Sequence, residues 1–316
     1  MKDNSVICIT GGAGAIGCNL VRNLLTYNPI EIIILDNLSS GNIDFLPKDK
    51  RVRFYHIDIS NKEKLSSLIP PSTDYIFHLA AHFANQNSVD YPLSDEETNI
   101  RGIINLLEIS KKLNLEKFIN CSSSCVYGNN TSLMSIDDSL YPFDTPYAIN
   151  KLASELYSKF YYEHYKIPTI NIRIFNTYGP YEVGGKYRNV IPNFIERALS
   201  NIPLEITGTG KEPRDFTYVD DTCNLLTLAA TSPISQGKVY NGGTGIKTNI
   251  STLATLIKEL CNSSLEVIIK PRRNWDNVES RVSDISLSTR DLDYIPTHVD
   301  LRQNLIKTID WYKTIK

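Results

Sequence analysis

Between positions 10 and 17 the chain reads Thr-Gly-Gly-Ala-Gly-Ala-Ile-Gly, after an apolar β-branched run at 5–10 and before a helical pattern at 19–25. Gly12, Gly14 and Gly17 satisfy the spacing G-x-G-x-x-G, and Gly11, Gly14 and Gly17 give a related three-residue spacing. Glycines here permit a tight strand-to-helix turn and let backbone approach a pyrophosphate. They also seat the helix against the strand with its first N–H groups free for anionic oxygens. The next apolar run ends in Asp36, about 20 residues on, where a carboxylate accepts hydrogen bonds from a ribose 2′-hydroxyl. NAD is the expected cofactor: Asp36 would repel the 2′-phosphate of NADP, and Asn37 is not the arginine that phosphate would want.

The same alternation runs through the first half of the chain. Short β-branched runs at 5–10, 31–36, 52–57, 74–79, 117–122 and 168–175 alternate with helical patterns, which reads as βαβ units feeding a parallel sheet. The expected fold is α/β: a doubly wound, Rossmann-type sheet of six strands with its ligand crevice beyond their C-terminal ends. After Tyr178-Gly179-Pro180 the rhythm loosens, with glycine or proline at Gly184-Gly185, Gly208-Thr209-Gly210, Gly242-Gly243 and Pro271. A smaller α/β substrate-binding lobe is expected there. The predicted division gives 1–176 plus roughly 212–243 to the cofactor domain, and roughly 177–211 plus 244–316 to the lobe.

Composition narrows the partners. At 316 residues with 41% hydrophobic and 22% charged residues, the chain can bury a sizeable core, and a net charge of −2 supplies no basic field for nucleic acid. Runs such as Ile32-Ile33-Ile34-Leu35 are strand-sized, far short of the ~20 residues that cross a bilayer. The opening Met1-Lys2-Asp3-Asn4 has no cleavable apolar leader, so a cytoplasmic protein is expected. The six cysteines, at 8, 18, 121, 125, 223 and 261, form no Cys-x-x-Cys pair; neither disulfides nor a metal site is expected.

Asp144-Thr145-Pro146-Tyr147 opens a helix that Thr145 or Asp144 can cap, with Pro146 in its first turn. Tyr147 and Lys151 are four apart, on one helical face. A cation there stabilises phenolate, so Tyr147 could exchange a proton with a sugar hydroxyl. The hydroxyl-rich exit of the strand before it, Ser122-Ser123-Ser124-Cys125-Val126-Tyr127-Gly128, projects into the same crevice. Two readings are open for Asp58, in His56-Ile57-Asp58-Ile59: a contact with an adenine edge, or a cap for the helix that starts near Asn61.

These stretches, with Asp36 to Gly41, His78-Leu79-Ala80-Ala81, Arg173 to Pro180, Arg214 to Asp221 and Arg272 to Asp284, resemble the extended short-chain dehydrogenase/reductases. Within them the pattern is closest to the NAD-dependent epimerase/dehydratase family and its UDP-glucose 4-epimerase-like members. The resemblance implies cofactor contacts from Gly11, Gly14, Ala15, Ile16, Gly17, Asp36, Asn37, Ser39, Ser40, Gly41, Asp58, Ile59, Leu79, Ala80, Ala81, Asn99, Tyr147 and Lys151. It makes Tyr147 the acid/base at the sugar O4, Ser123 its hydrogen-bonding partner at that hydroxyl, and Lys151 the group that holds the nicotinamide ribose and lowers the tyrosine pKa. Substrate contacts fall to Ser123, Ser124, Tyr147, Asn176, Arg188, Val190, Arg214, Arg273 and Asp276, with the arginines suited to a diphosphate. Arg214 has a second reading, as an ion-pair partner of Asp215 or Asp220.

Family members oxidise C4 of a nucleotide-sugar and differ in the fate of the ketone. Dehydratases carry Asp-Glu after the serine and related decarboxylases a glutamate in the second place, where this chain has Ser124 and Cys125. What remains is rotation of the keto-sugar and hydride return, which is 4-epimerisation. Two alternatives within the family are a dehydratase, and a C3/C5 epimerase using Cys125 as acid/base with Lys186 as candidate partner; otherwise Cys125 is a packed thiol. An NAD-sensing regulator would have little reason to keep Ser123, Tyr147 and Lys151 together.

The expected substrate is a nucleotide diphosphate sugar: a UDP-hexose, UDP-N-acetylhexosamine or UDP-uronic acid. In 4-epimerases a residue just before the late aspartate, here Asp284, controls space around the sugar C2 substituent, and that place falls to Ser280 or Arg281. Ser280 would leave a roomy pocket; Arg281, or Arg188 nearby, would favour a sugar carboxylate. His82 is read as a structural hydrogen-bonder. A homodimer is implied through the helix carrying Tyr147 and Lys151, with Leu106, Leu107, Leu152, Leu156 and Tyr157 facing either the partner or the core.

Overall fold

The β-branched runs become strands whose side chains alternate between two buried faces. In the computed structural model, which describes residues 1–129 and 133–315, these are β1 (Val6–Thr10), β2 (Glu31–Asp36), β3 (Val52–His56), β4 (Tyr75–His78), β5 (Lys117–Ser123), β6 (Thr169–Ile174) and β7 (Val239–Gly242). Ile7, Ile9, Ile32 and Ile34 enter one apolar core, and Val6, Cys8, Ile33 and Leu35 enter the other. Burial on both faces is why these strands read as continuous apolar runs. The order is β7-β6-β5-β4-β1-β2-β3 and every pairing is parallel. The sheet therefore has seven strands, one more than the sequence predicts; β7, Val-Tyr-Asn-Gly, is too short to announce itself and is fixed by pairing Tyr240 with Ile172.

Helices α1 (Ala15–Leu25), α2 (Gly102–Ser110), α3 (Pro146–Tyr165) and α5 (Val219–Thr231) cover the sheet, whereas α4 (Val190–Leu199), α6 (Ile250–Leu260) and α7 (Leu301–Thr314) surround a further core with the parallel pair Leu204–Thr207 and Val267–Lys270. Chain crossings are finer than the predicted division: Phe216 and Tyr218 pack in this further core, while Leu292 and Tyr294 pack with the sheet. Helix α1 begins at Ala15, not 19, because Ile16 and Cys18 already supply an inward-facing first turn. Leu106 and Leu107 are wholly buried and Leu152 packs beside Val126, so these three serve the core; Leu156 and Tyr157 lie at the surface.

The switch point of the strand order lies between β1 and β4. Chain leaving β1 turns toward β2 and chain leaving β4 turns the other way, which opens a crevice at their C-terminal ends.

Candidate active site

A cleft of about 520 Å³ occupies that crevice, a volume in the range of small-molecule sites. Its floor is the glycine loop. Gly11 has φ +70°, and a Cβ there would stand 2.5 Å from the Ala80 nitrogen; a Cβ on Gly17 would stand 2.4 Å from the Gly11 oxygen. Neither neighbour can retreat, since both are backbone, so only glycine lets β1, α1 and β4 converge. Gly14 takes the extended N-cap position with no side-chain cap, leaving first-turn N–H groups for a ligand. These features fit a dinucleotide pyrophosphate.

Asp36 is buried at the end of β2, accepting hydrogen bonds from the Ala13 and Leu38 nitrogens at 3.0 and 2.8 Å. Burial raises its pKa and those two bonds oppose the rise. Asn37 donates to Asp58 at 2.8 Å. Asp58 is not a helix cap: the helix Lys62–Leu68 is capped by Asn61, whose side chain accepts from Lys64, and Asp58 accepts from Ser60 and Asn37 instead.

At the other end of the cleft, helix α3 starts with Thr145 accepting from the Ala148 nitrogen and with Pro146 in its first turn; Thr145, not Asp144, is the cap. That start puts Tyr147 and Lys151 on the inward face, both buried. The Lys151 ammonium donates to the Cys121 carbonyl at 2.8 Å and stands 5.7 Å from the centre of the Tyr147 ring. Burial lowers the Lys151 pKa, with nearby acids opposing. Burial also drives the Tyr147 phenol up, while a hydrogen bond with Ser123 works against it. In the chain without its cofactor, burial is the largest of these effects and the net direction is upward.

The structure brings most of the sequence-predicted residues to this cleft: Gly11, Gly14, Ala15, Ile16, Gly17, Asp36, Asn37, Ser39, Ser40, Asp58, Ile59, Leu79, Ala80, Ala81, Ser123, Ser124, Tyr147, Lys151, Asn176 and Arg188 line it. Others lie behind or beside it. Gly41 packs on Ala13. Asn99 is buried with its amide on His82 and Asp95. Val190 starts α4 and packs into the further core. Arg273 stacks over Trp275 on the exposed turn that also carries Asp276. Arg214 pairs with neither Asp215 nor Asp220; it donates to the carbonyls of Pro213 and Val278. Arg188 reaches the Ser40 carbonyl at 2.7 Å, on the cofactor loop rather than the sugar end. Lys186 is exposed and paired with Asp90 at 3.3 Å, outside the cleft lining.

Two residues at the site carry no sequence signal of their own. Glu182 lines the cleft, buried, with its pKa raised to about 7 by burial. Asp215 is fully buried and ties Thr244, Gly245 and Ser283 together, so the motif read for its arginine is organised around its aspartate. Between Ser280 and Arg281 the structure decides: Arg281 lines the cleft, 3.5 Å from the Cys125 sulfur, and Ser280 turns inward.

Comparison with known proteins follows the same lines. A sequence model of the NAD dependent epimerase/dehydratase family matches residues 7–243. The chain belongs to that family. A UDP-glucose 4-epimerase from Mycolicibacterium smegmatis is 30% identical over 96% of this chain and 97% of its own length. Among solved structures, an epimerase from the methanogen Methanothermobacter thermautotrophicus is 40% identical, covering 99% of this chain and 93% of that one with a TM-score of 0.95. A UDP-N-acetylglucosamine 4-epimerase from Methanobrevibacter ruminantium, in complex with UDP-N-acetylmuramic acid, is 31% identical and covers both chains completely, with a TM-score of 0.91. As in its family, the cofactor of this chain is NAD, and the glycine floor with Asp36 is the part of the cleft that fits it.

Proposed function

We propose that this family member is a nucleotide-sugar 4-epimerase. The observation that carries the reading is the convergence of Ser123, Tyr147 and Lys151 on one cleft with the glycine floor, with Ser124 and Cys125, not carboxylates, following the serine. NAD, when bound, would supply the hydride acceptor for oxidation at the sugar C4 and the donor for its return. The Tyr147 oxygen takes the O4 proton and gives it back. Ser123 hydrogen-bonds the same hydroxyl. Lys151 has one of its three N–H groups on Cys121, which leaves donors for the cofactor ribose and a fixed positive charge for the phenolate.

Asn176 on the cleft wall, with Arg214 and Arg273 beyond it, is assigned to the nucleotide diphosphate, and Asp276 to the nucleoside ribose. A second reading, C3/C5 epimerisation with Cys125 as acid/base, is favoured by one observation, the Arg281 guanidinium against its sulfur. The enzyme is further proposed to act in the cytoplasm, in keeping with cysteines buried in the core at Cys8, Cys18, Cys121 and Cys223, and to pair as a homodimer through α3. Among the described residues no helix is long and apolar enough to cross a membrane.

The test is incubation of the purified protein, without added cofactor, with UDP-glucose, UDP-N-acetylglucosamine, UDP-glucuronic acid and GDP-mannose in D2O, followed by proton NMR. Inversion at C4 with no deuterium on the ring is expected. Deuterium at C3 or C5 would instead promote Cys125.

A further inference from the structure

Arg281 is 8% exposed, and among the described residues no carboxylate lies within ion-pair distance of it. Its Nε has no hydrogen-bond partner, and its Nη1 meets only the Cys125 thiol at 3.5 Å. Burying a guanidinium with no ion-pair partner is costly, and the Asp144 carboxyl, which acts on it from beyond ion-pair distance, offsets only part of that cost. Such an arrangement makes sense where the anion arrives with the ligand.

Its place says which part of the ligand. Cys125 packs in one apolar cluster with Tyr147 and Ala148, so the guanidinium stands one side chain from the tyrosine, at the reacting end of the cleft. Neighbouring Arg214, which does not line the cleft, has its guanidinium on two carbonyls. The placement of Arg281 is also built. Its nitrogen donates to the Pro213 carbonyl at 3.1 Å, its carbonyl accepts from the Asp215 nitrogen at 2.9 Å, and Asp215 in turn holds Ser283 two residues on. Sugar hydroxyls cannot neutralise this group, whereas a carboxylate matches the planar fork with two parallel hydrogen bonds.

We propose that Arg281 reads a carboxylate carried by the sugar, so that the substrate is an acidic nucleotide-sugar. This rests on the cleft being a nucleotide-sugar site, and it narrows the reaction above to substrates bearing that charge, either on the ring as in a uronic acid or on a substituent.

The NAD-loaded protein would be titrated calorimetrically with UDP, UDP-glucose, UDP-glucuronic acid, UDP-N-acetylglucosamine and UDP-N-acetylmuramic acid, and each sugar followed for C4 inversion by NMR. At least one acidic sugar should bind about 10- to 100-fold tighter than its neutral counterpart, the span of a hydrogen bond to a charged group. Preference for the glucuronate places the carboxylate on the ring; preference for the muramate places it on the substituent. Arg281→Met should collapse that ratio and cost the acidic sugar more affinity than UDP itself, with Arg281→Lys recovering part of it. Equal affinity for acidic and neutral sugars in the unaltered protein overturns the proposal without any variant. So does an Arg281→Met loss as large for UDP as for the acidic sugar, because the arginine then grips the diphosphate. C4 inversion with no acidic preference removes Arg281 and leaves the 4-epimerase; acidic preference with no inversion of any sugar removes the 4-epimerase and leaves Arg281.

Discussion

Tyr147 is a phenol that burial holds neutral, with its backbone nitrogen on the Ser88 hydroxyl and its ring edge-on to Phe83. Removing only its hydroxyl leaves that packing intact. Tyr147→Phe should therefore keep its NAD, read from the cofactor released on denaturation, while turnover falls roughly 10²- to 10⁴-fold; turnover at the unaltered rate would refute the assignment. Glu182 makes a different prediction. Burial lifts its carboxyl from 4.5 to about 7, against the pull of Arg188 and Asn189. A raised folded-state pKa means the fold holds a proton that the unfolded chain has released. The contribution is thus fully present below about 4.5 and lost as pH rises through about 7. Glu182→Gln mimics the protonated form, so its unfolding temperature should match the unaltered protein near pH 5 and exceed it by a few degrees at pH 8. Parallel curves across that range would remove Glu182 as the source.

Helix α3 presents Tyr147, Lys151 and Glu155 at successive four-residue steps, all buried on one face. Spacing alone marks the first two, whereas Glu155 looks like solvated surface until β6 is placed opposite. Its partner comes from the sheet face the helix packs on: Arg173 donates to both Glu155 oxygens, with Nη2 at 2.8 Å, and to the Tyr127 hydroxyl at 2.9 Å, while Ser122 donates to Glu155 as well. This network anchors the helix one turn below the catalytic pair. Arg173→Met leaves Glu155 buried and uncompensated, which costs about 3–5 kcal/mol, or roughly 5–8 °C in the unfolding temperature of a chain this size. Replacing both, as Glu155→Leu with Arg173→Met, should cost less than the single change. Calorimetry on the three proteins checks the order, and a double variant less stable than Arg173→Met would show that the pair contributes beyond mutual neutralisation. The elements that were legible share one property: glycine loop, Asp36 and Tyr147 with Lys151 all lie within a local stretch whose spacing carries the chemistry. Arg281 beside Cys125, 156 positions apart, depends on the tertiary fold, so sequence left it level with Ser280.

At the scale of the whole molecule the parallel sheet was readable from its two-sided apolar strands, while the lobes exchange more chain than composition shifts can mark. Phe216 and Tyr218 leave the sheet's core for the other one just before α5 returns to it. What the single chain leaves open is the outer face of α3. Ile149, Leu156 and Phe160 are 46%, 61% and 45% exposed, spaced seven and four apart, so they form one stripe on the side of the helix away from Tyr147. Tyr157 at 39% widens it. A contiguous apolar stripe on a helix whose other face holds the catalytic pair is where a second copy would dock, and a twofold axis would set α3 against itself. The chain should therefore run in light scattering at twice 35.7 kDa. Leu156→Asp combined with Phe160→Asp should return it to the monomer mass, since two carboxylates cannot be buried against their symmetry copies. Turnover should fall with the dimer, because α3 carries Tyr147 and Lys151 and loses its outer support. An unaltered chain that stays monomeric at micromolar concentration would exclude this pairing, and a monomeric variant with full turnover would confine the dimer to stability.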